Sequence, residues 1–490
     1  METRFYNRKN RDTAVLVYLS IFIGYLTVSR IVPLTYAMTD TVNALLSGAL
    51  AGFGGLLLLQ DLLTDRVMFK AHHWWLLALY VVVVALSALT NIRYGFSDNI
   101  KTIVWFCIHF FLFYPLISRL GDRKTEKFLR RALFLIGALW TVCVAVSIAQ
   151  FTFQLGYHAF MHEGLLKRQG FIENRLFGLF SDPNACALMS LCLIYGICYL
   201  LETDRTVWKR VVGIVAIVLH FTYIILSGSR SIVICMFVSA GIKTGLMVWS
   251  RCRVSGMEVR KTAIRITGAV LVFCLLFFAV YLPARKGLSY LPELGLKLDP
   301  QKTGISTLFR PDLPVDTDPG SKDPSKLPSL EPGDKFDSNT VFDREDVRED
   351  NMLNNRQSIW KGYLTSLHGS KWIFGLSPRN AIAYITEHDP DNYIAQVKYI
   401  VHSDYIGVLA YTGLAGVAVV LLFGVLALIR VFKKLGQAPG LSSFYQMSLV
   451  ILCAIGIFGM SYMDILFCNT ITGIFFWMMA GVALNYGERE

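Results

Sequence analysis

Residues 266–283, ITGAVLVFCLLFFAVYLP, contain no charged side chain and are bracketed by Arg265 on one side and by Arg285 and Lys286 on the other. A helix rises about 1.5 Å per residue, so the stretch reaches about 27 Å, close to the roughly 30 Å hydrocarbon core of a bilayer. It reads as a transmembrane helix with cationic ends. Comparable runs recur at 13–29, 43–63, 74–91, 101–117, 132–153, 184–202, 211–227, 231–249, 404–429, 445–462 and 465–484. The fold class they imply is an all-α polytopic membrane protein of about twelve transmembrane helices.

Composition agrees. The chain has 490 residues, of which 54% are hydrophobic and 17% charged, with a mean hydropathy of +0.49. Soluble globular domains do not have this balance. The formal net charge of +12 lies in clusters between apolar runs and not in a stripe, so no nucleic-acid partner is indicated. Nearly all ten cysteines fall inside apolar stretches, which argues against a disulfide framework. The basic start at Arg4, Arg8, Lys9 and Arg11 is followed by no small-residue cleavage site, so 13–29 reads as a retained first helix.

Cytoplasmic loops are enriched in Lys and Arg. The N-terminus, the loop with Arg119, Arg123, Lys124, Lys127, Arg130 and Arg131, and those around Arg205–Arg210, Arg251–Arg265 and Arg430–Lys434 all fall on one side. Loops near Asp40, Asp98 and Asp464 fall on the other and are poor in positive charge. This alternation places both termini in the cytoplasm. The chain then divides into helices 1–5 (1–153), helices 6–9 with Arg-bearing external loops (154–283), a large external loop (284–403) and helices 10–12 (404–490). Within that loop, 308–350 is rich in Pro, Asp, Lys, Ser and Gly and reads as a disordered linker. Residues 354–367 regain helical periodicity, with Trp360, Leu364 and Leu367 in a stripe, and read as an external amphipathic helix.

Three arginines stand out at the external ends of the middle spans: Arg175 before span six, Arg230 in the short hairpin between spans seven and eight, and Arg356 one turn before Trp360. An arginine near the bilayer is costly to insert. Arg230 either anchors its hairpin or, with the others, presents planar donor forks to a phosphate. Asp182-Pro183-Asn184 reads as a helix start, serving as a cap or as an anion site. His402, where the chain re-enters the membrane, is either a polar cap or an imidazole placed to accept a proton. His158, His162 and Glu163 have helical metal-ligand spacing but lack a further ligand, so no metal is assigned. Asp316-Thr317-Asp318 and Asp389-Pro390-Asp391 imitate a metal-holding carboxylate pair, but no nucleotide-binding domain accompanies them, and no phosphate loop is present.

Taken in order, Arg175 through Asn184, Ser229-Arg230, Arg356 with Trp360, Phe374-Gly375, His402 with Tyr405, and Gly413-Leu414-Ala415-Gly416 resemble the motifs of the O-antigen ligase and O-antigen polymerase superfamily of bacterial membrane glycosyltransferases. The resemblance covers about 175–420; Ser403 stands where that family usually has Asn, and Ser377 where it has a second Gly. It implies a GT-C-like membrane fold in the bacterial cytoplasmic (inner) membrane with an outward-facing active site. The implied donor is a glycan on polyprenyl (undecaprenyl) pyrophosphate, transferred without a metal, nucleotide or other cofactor. Arg175, Arg230 and Arg356 would hold the pyrophosphate, with Lys167 and Arg168 as further ligands, and His402 and Arg230 would be catalytic. Polymerisation of repeat units for O-antigen, capsule or exopolysaccharide is the activity expected. Ligase-type transfer to another acceptor and a lipid-linked glycan flippase or transporter are the alternatives. Besides the lipid bilayer, a chain-length regulator or other polysaccharide export protein is the partner class implied.

Overall fold

A computed structural model describes residues 8–161, 166–204, 206–311, 341–342, 356–437 and 440–487. In chain order its principal helices are α1 (Arg8–Val28), α2 (Asp40–Leu63), α3 (Trp74–Thr90), α4 (Ser97–Ile108), α5 (Asp122–Thr152), α6 (Pro183–Thr203), α7 (Val207–Leu226), α8 (Arg230–Val254), α9 (Val259–Leu288), α10 (Arg356–Thr365), α11 (Asp404–Gln437), α12 (Ser443–Phe458) and α13 (Ile471–Asn485). Among the described residues, eight helices are long and apolar enough to cross a membrane: α1, α2, α5 to α9 and α11. Helices α3, α12 and α13 are apolar but shorter. Helix α9 buries only Thr262 and exposes Leu271, Leu275, Leu276 and Phe278. Hydrocarbon is the environment that suits such a surface.

Two expectations need correction. The run 101–117 is not one helix: α4 ends at Ile108, a π-helical turn follows at His109–Phe113, and a short helix begins at Leu116. Pro115 explains the break, because it has no N–H to donate and its ring crowds the preceding turn. The rest of the fold is mostly helical, as expected, with one small sheet. Strands β1 (Gly156–Phe160), β2 (Leu166–Ile172) and β3 (Arg175–Gly178) form an antiparallel sheet in the order β1-β2-β3. His158 lies on β1 opposite Arg168, so the helical spacing read for the histidines does not exist. His162 and Glu163 lie outside the described residues, as does most of the linker 308–350. No metal-holding group of His, Cys, Asp or Glu occurs among the described residues.

The chain forms two compact units, one from 1–23, 47–128 and 348–490, the other from 24–46 and 129–347. In the first, Arg119 is not the loop cation its sequence context suggests. It is buried in an ion pair with Asp61 and lies 3.6 Å from Asp12, and the Asp61 carboxylate also accepts from the Met68 N–H at 3.2 Å. Removing one member of such a pair would strand a buried charge. In the second unit, Lys243 on α8 pairs with Glu202 on α6 at 3.3 Å, so the mid-sequence lysine is matched by an acid at the end of a neighbouring helix.

Candidate functional site

In the unit containing 129–347 the sheet sets the cations. Glu173 and Asn174 both have positive φ, 54° and 55°, the conformation of a two-residue type I′ hairpin, which asparagine tolerates well. That turn folds β3 onto β2 and pairs Arg175 with Ile172. Arg175 is buried, with Nε donating to the Ser227 carbonyl at 3.1 Å and Nη2 to Asn184 Oδ1 at 2.8 Å. It thereby ties β3 to the end of α7 and the start of α6. Asp182 caps α6, accepting from the N–H groups of Asn184 and Ala185 at 2.7 and 2.9 Å, with Pro183 in the first turn. Of its two sequence readings, the cap is the one seen.

Ser227 leads through Gly228, at φ 64°, into Ser229 and Arg230, the first residue of α8. Arg230 is exposed. Arg175 and Arg230 are therefore linked through one turn but differ in kind, the first a buried tie and the second a presented cation. Arg168 and Arg175 approach the same ring, their guanidinium carbons 5.6 and 5.8 Å from the Phe177 centroid, and Arg168 also pairs with Glu173 at 3.1 Å. Lys167 is half-buried opposite Ala159. Three further cations were not read as part of the site. Arg310 sits 5.5 Å from the Tyr157 ring, Arg285 sits 5.1 Å from the Phe342 ring, and Lys302 Nζ donates to the Gln154 carbonyl at 3.2 Å. Burial pushes the Lys302 ammonium below its ordinary pKa. No local motif marks these three, because their partners are distant in sequence.

In the other unit, Arg356 opens α10, and the two ring donors that follow hold the segment before His402. Trp360 Nε1 donates to the Val401 carbonyl and the Tyr363 hydroxyl to the Tyr399 carbonyl, both at 2.9 Å. His402 has φ 52°, and its ring lies 6.2 Å from Tyr399 and 6.3 Å from Tyr462. The next residues are fixed just as firmly. Asp404 N donates to the Gly459 carbonyl at 2.8 Å, and its buried carboxylate accepts from the N–H groups of Asp464, Ile465 and Leu466 at 2.9, 2.9 and 3.0 Å. Consecutive backbone donors converging on one carboxylate form an anion nest. Asp404 is the important residue that sequence reasoning missed.

Beside this segment lies a groove of about 790 Å³ lined by Gln357, Trp360, Lys361, Leu364, His368 and Trp372. The motif glycines support the same corner. Gly375 (φ 73°) and Gly413 (φ 62°) let two backbones touch: a Cβ on Gly375 would stand 2.3 Å from Tyr411 C, and one on Gly413 2.4 Å from Ile373 C. Leu376 N and Ser377 N then donate to the carbonyls of Ala410 and Tyr411 at 2.9 and 3.0 Å. Ser377, in the place of a second glycine, donates its hydroxyl to Asn99 Oδ1 at 2.8 Å.

The structure thus gathers Lys167, Arg168, Arg175 and Arg230 in one unit and Arg356 with His402 in the other. Comparisons with models of known families and with characterised proteins find no match to this chain.

Proposed function

We propose that this chain is a bacterial inner-membrane glycosyltransferase that polymerises polyprenyl-pyrophosphate-linked glycans at the outer face. Both termini are cytoplasmic, and the shorter helices α3, α12 and α13 with the broken run 101–117 complete twelve passes. The observation that carries the reading is the fixing of His402 from both sides. A general base must be held within hydrogen-bond reach of the proton it takes, and such rigidity is what a catalytic position requires. The adjoining groove suits a glycan acceptor, with Trp360 and Trp372 offering ring faces and Gln357, Lys361 and His368 offering polar contacts.

In this reaction the acceptor hydroxyl oxygen attacks the anomeric carbon of the donor glycan. The bond from that carbon to the pyrophosphate oxygen breaks, and polyprenyl pyrophosphate leaves with the electron pair. His402 takes the hydroxyl proton. Arg356, in the same unit as His402, neutralises the departing charge; by the motif resemblance Arg230, Arg168 and Lys167 also bind phosphate, with Arg175 keeping the Arg230 turn in place. The Lys243–Glu202 pair counts against a transporter, in which mid-membrane charges line a path.

The test uses purified protein with a lipid-linked repeat unit, measuring donor binding and product length separately. Wild type should yield a ladder of products. His402→Ala should lose about 10²-fold in turnover with donor binding within about twofold, that is, within about 0.4 kcal/mol. Wild-type turnover in that variant would remove His402 from the mechanism. Transfer of a single unit to a different acceptor would convert the reading to a ligase.

A further inference from the structure

The end of α11 remote from His402 carries a second organised cluster. Arg430, Lys433 and Lys434 share one helical face, at spacings of three and four residues. With Ser442, Tyr445 and Tyr486 they line a cavity of about 520 Å³. The walls are fixed by hydrogen bonds. Arg430 Nε donates to the Leu484 carbonyl at 2.7 Å, Lys434 Nζ to the Tyr486 carbonyl at 2.8 Å, and the Tyr445 hydroxyl to the Ala483 carbonyl at 3.0 Å. Arg430 Nη2 also donates to His72 Nε2 at 2.5 Å. Burial, then the nearby Arg430 and Lys434, push the His72 pKa down to about 4, so the imidazole is neutral and accepts. The Asp122 carboxylate accepts from Gly487 N, on the cavity rim, at 2.9 Å.

A cytoplasmic lysine that merely sets topology needs no cavity. Here three cations and a serine hydroxyl converge on a concave space large enough for a phosphodiester. Leading away from it along α11, Leu421, Val425, Leu428 and Phe432 are all exposed, between 52 and 67%, at spacings of four, three and four. Those positions make one apolar stripe about 16 Å long. We propose that this pocket binds the phosphate of an anionic membrane lipid whose acyl chains lie on that stripe. A free phosphate shares the headgroup chemistry but has nothing to place on the stripe.

The test reconstitutes the full chain in phosphatidylcholine nanodiscs, titrates dioleoylphosphatidylglycerol or inorganic phosphate, and counts bound molecules by native mass spectrometry. Each basic residue near an anionic surface contributes a factor of about five. Lys433→Gln alone, at an exposed position, should therefore weaken phosphatidylglycerol binding about fivefold, and Lys433→Gln with Lys434→Gln about thirtyfold. Lys433→Arg with Lys434→Arg should retain binding. Lys124→Gln with Lys127→Gln, an exposed pair on α5, removes the same charge elsewhere and should change binding less than twofold. Equal losses from the two Gln pairs would overturn the site in favour of general surface charge. Inorganic phosphate binding with phosphatidylglycerol excluded would overturn the lipid assignment.

Discussion

Replacing Asp404 by alanine would strand three N–H groups at once, those of Asp464 and Ile465, both buried, and of Leu466, part-buried, now 2.9 to 3.0 Å from the carboxylate. Each unmet buried donor costs about 1–3 kcal/mol. Local relaxation and water entry should bring the total toward the lower end, about 3–5 kcal/mol, as for breaking a buried charge pair. Asp404→Asn keeps the shape and one acceptor oxygen but turns an amide donor toward backbone donors, and should cost about half as much. In detergent, thermal unfolding of the alanine variant should fall by at least about 5 °C. Because the residue acts through the segment bearing His402, turnover of the folded variant should also drop at least about tenfold, with donor binding unchanged. The double variant with His402→Ala should be no slower than His402→Ala alone. An alanine variant that melts with wild type would refute the account of the nest, and additive losses in the double variant would refute its action through His402.

Arg230→Lys keeps the charge but not the planar fork, so its product formation in the lipid-linked donor assay should be impaired, and that of Arg230→Ala nearly abolished. Equal, near-normal rates would make Arg230 a membrane anchor. Gly375→Ala and Gly413→Ala each force a side chain into a left-handed backbone position and against facing backbone at 2.3–2.4 Å, at a cost of about 1–2 kcal/mol for handedness alone. Both should unfold at lower temperature than Gly424→Ala, where an added Cβ meets nothing within 4 Å. For topology, an impermeant thiol reagent applied to intact cells should label Thr386→Cys and not Ser255→Cys, both exposed positions. The native Cys252 is buried and would report nothing.

The membrane helices were legible because an apolar run of the right length has few other uses. The break after Ile108 was signalled by Pro115 but masked by the unbroken hydropathy of 101–117. The β-sheet was written in the sequence too. Glu173-Asn174 between two short apolar runs is a hairpin signal, which its place inside an arginine motif obscured. Asp404 shows the opposite case. Its three donors lie 60 to 62 residues away, so no local pattern announces them. Gly375 and Gly413 were readable as motifs, but their shared purpose is a contact between two backbones, visible only once both are folded. The Lys243–Glu202 pair, 41 residues apart, was hidden for the same reason.

The first compact unit takes its residues from both ends of the chain, with 219 residues between Phe128 and Arg348. At a synthesis rate of about 5–20 residues per second, that interval lasts about 11–44 s. Throughout it, the early part of the unit waits in the membrane without α11 to α13. The buried faces of α3 and the π-helical turn, which in the finished protein meet Tyr411 and Trp477, are then open to lipid or to an attendant insertase. A chain that ends after α9 should therefore keep those faces unpartnered, and in a pulse-chase it should be degraded faster than the full chain.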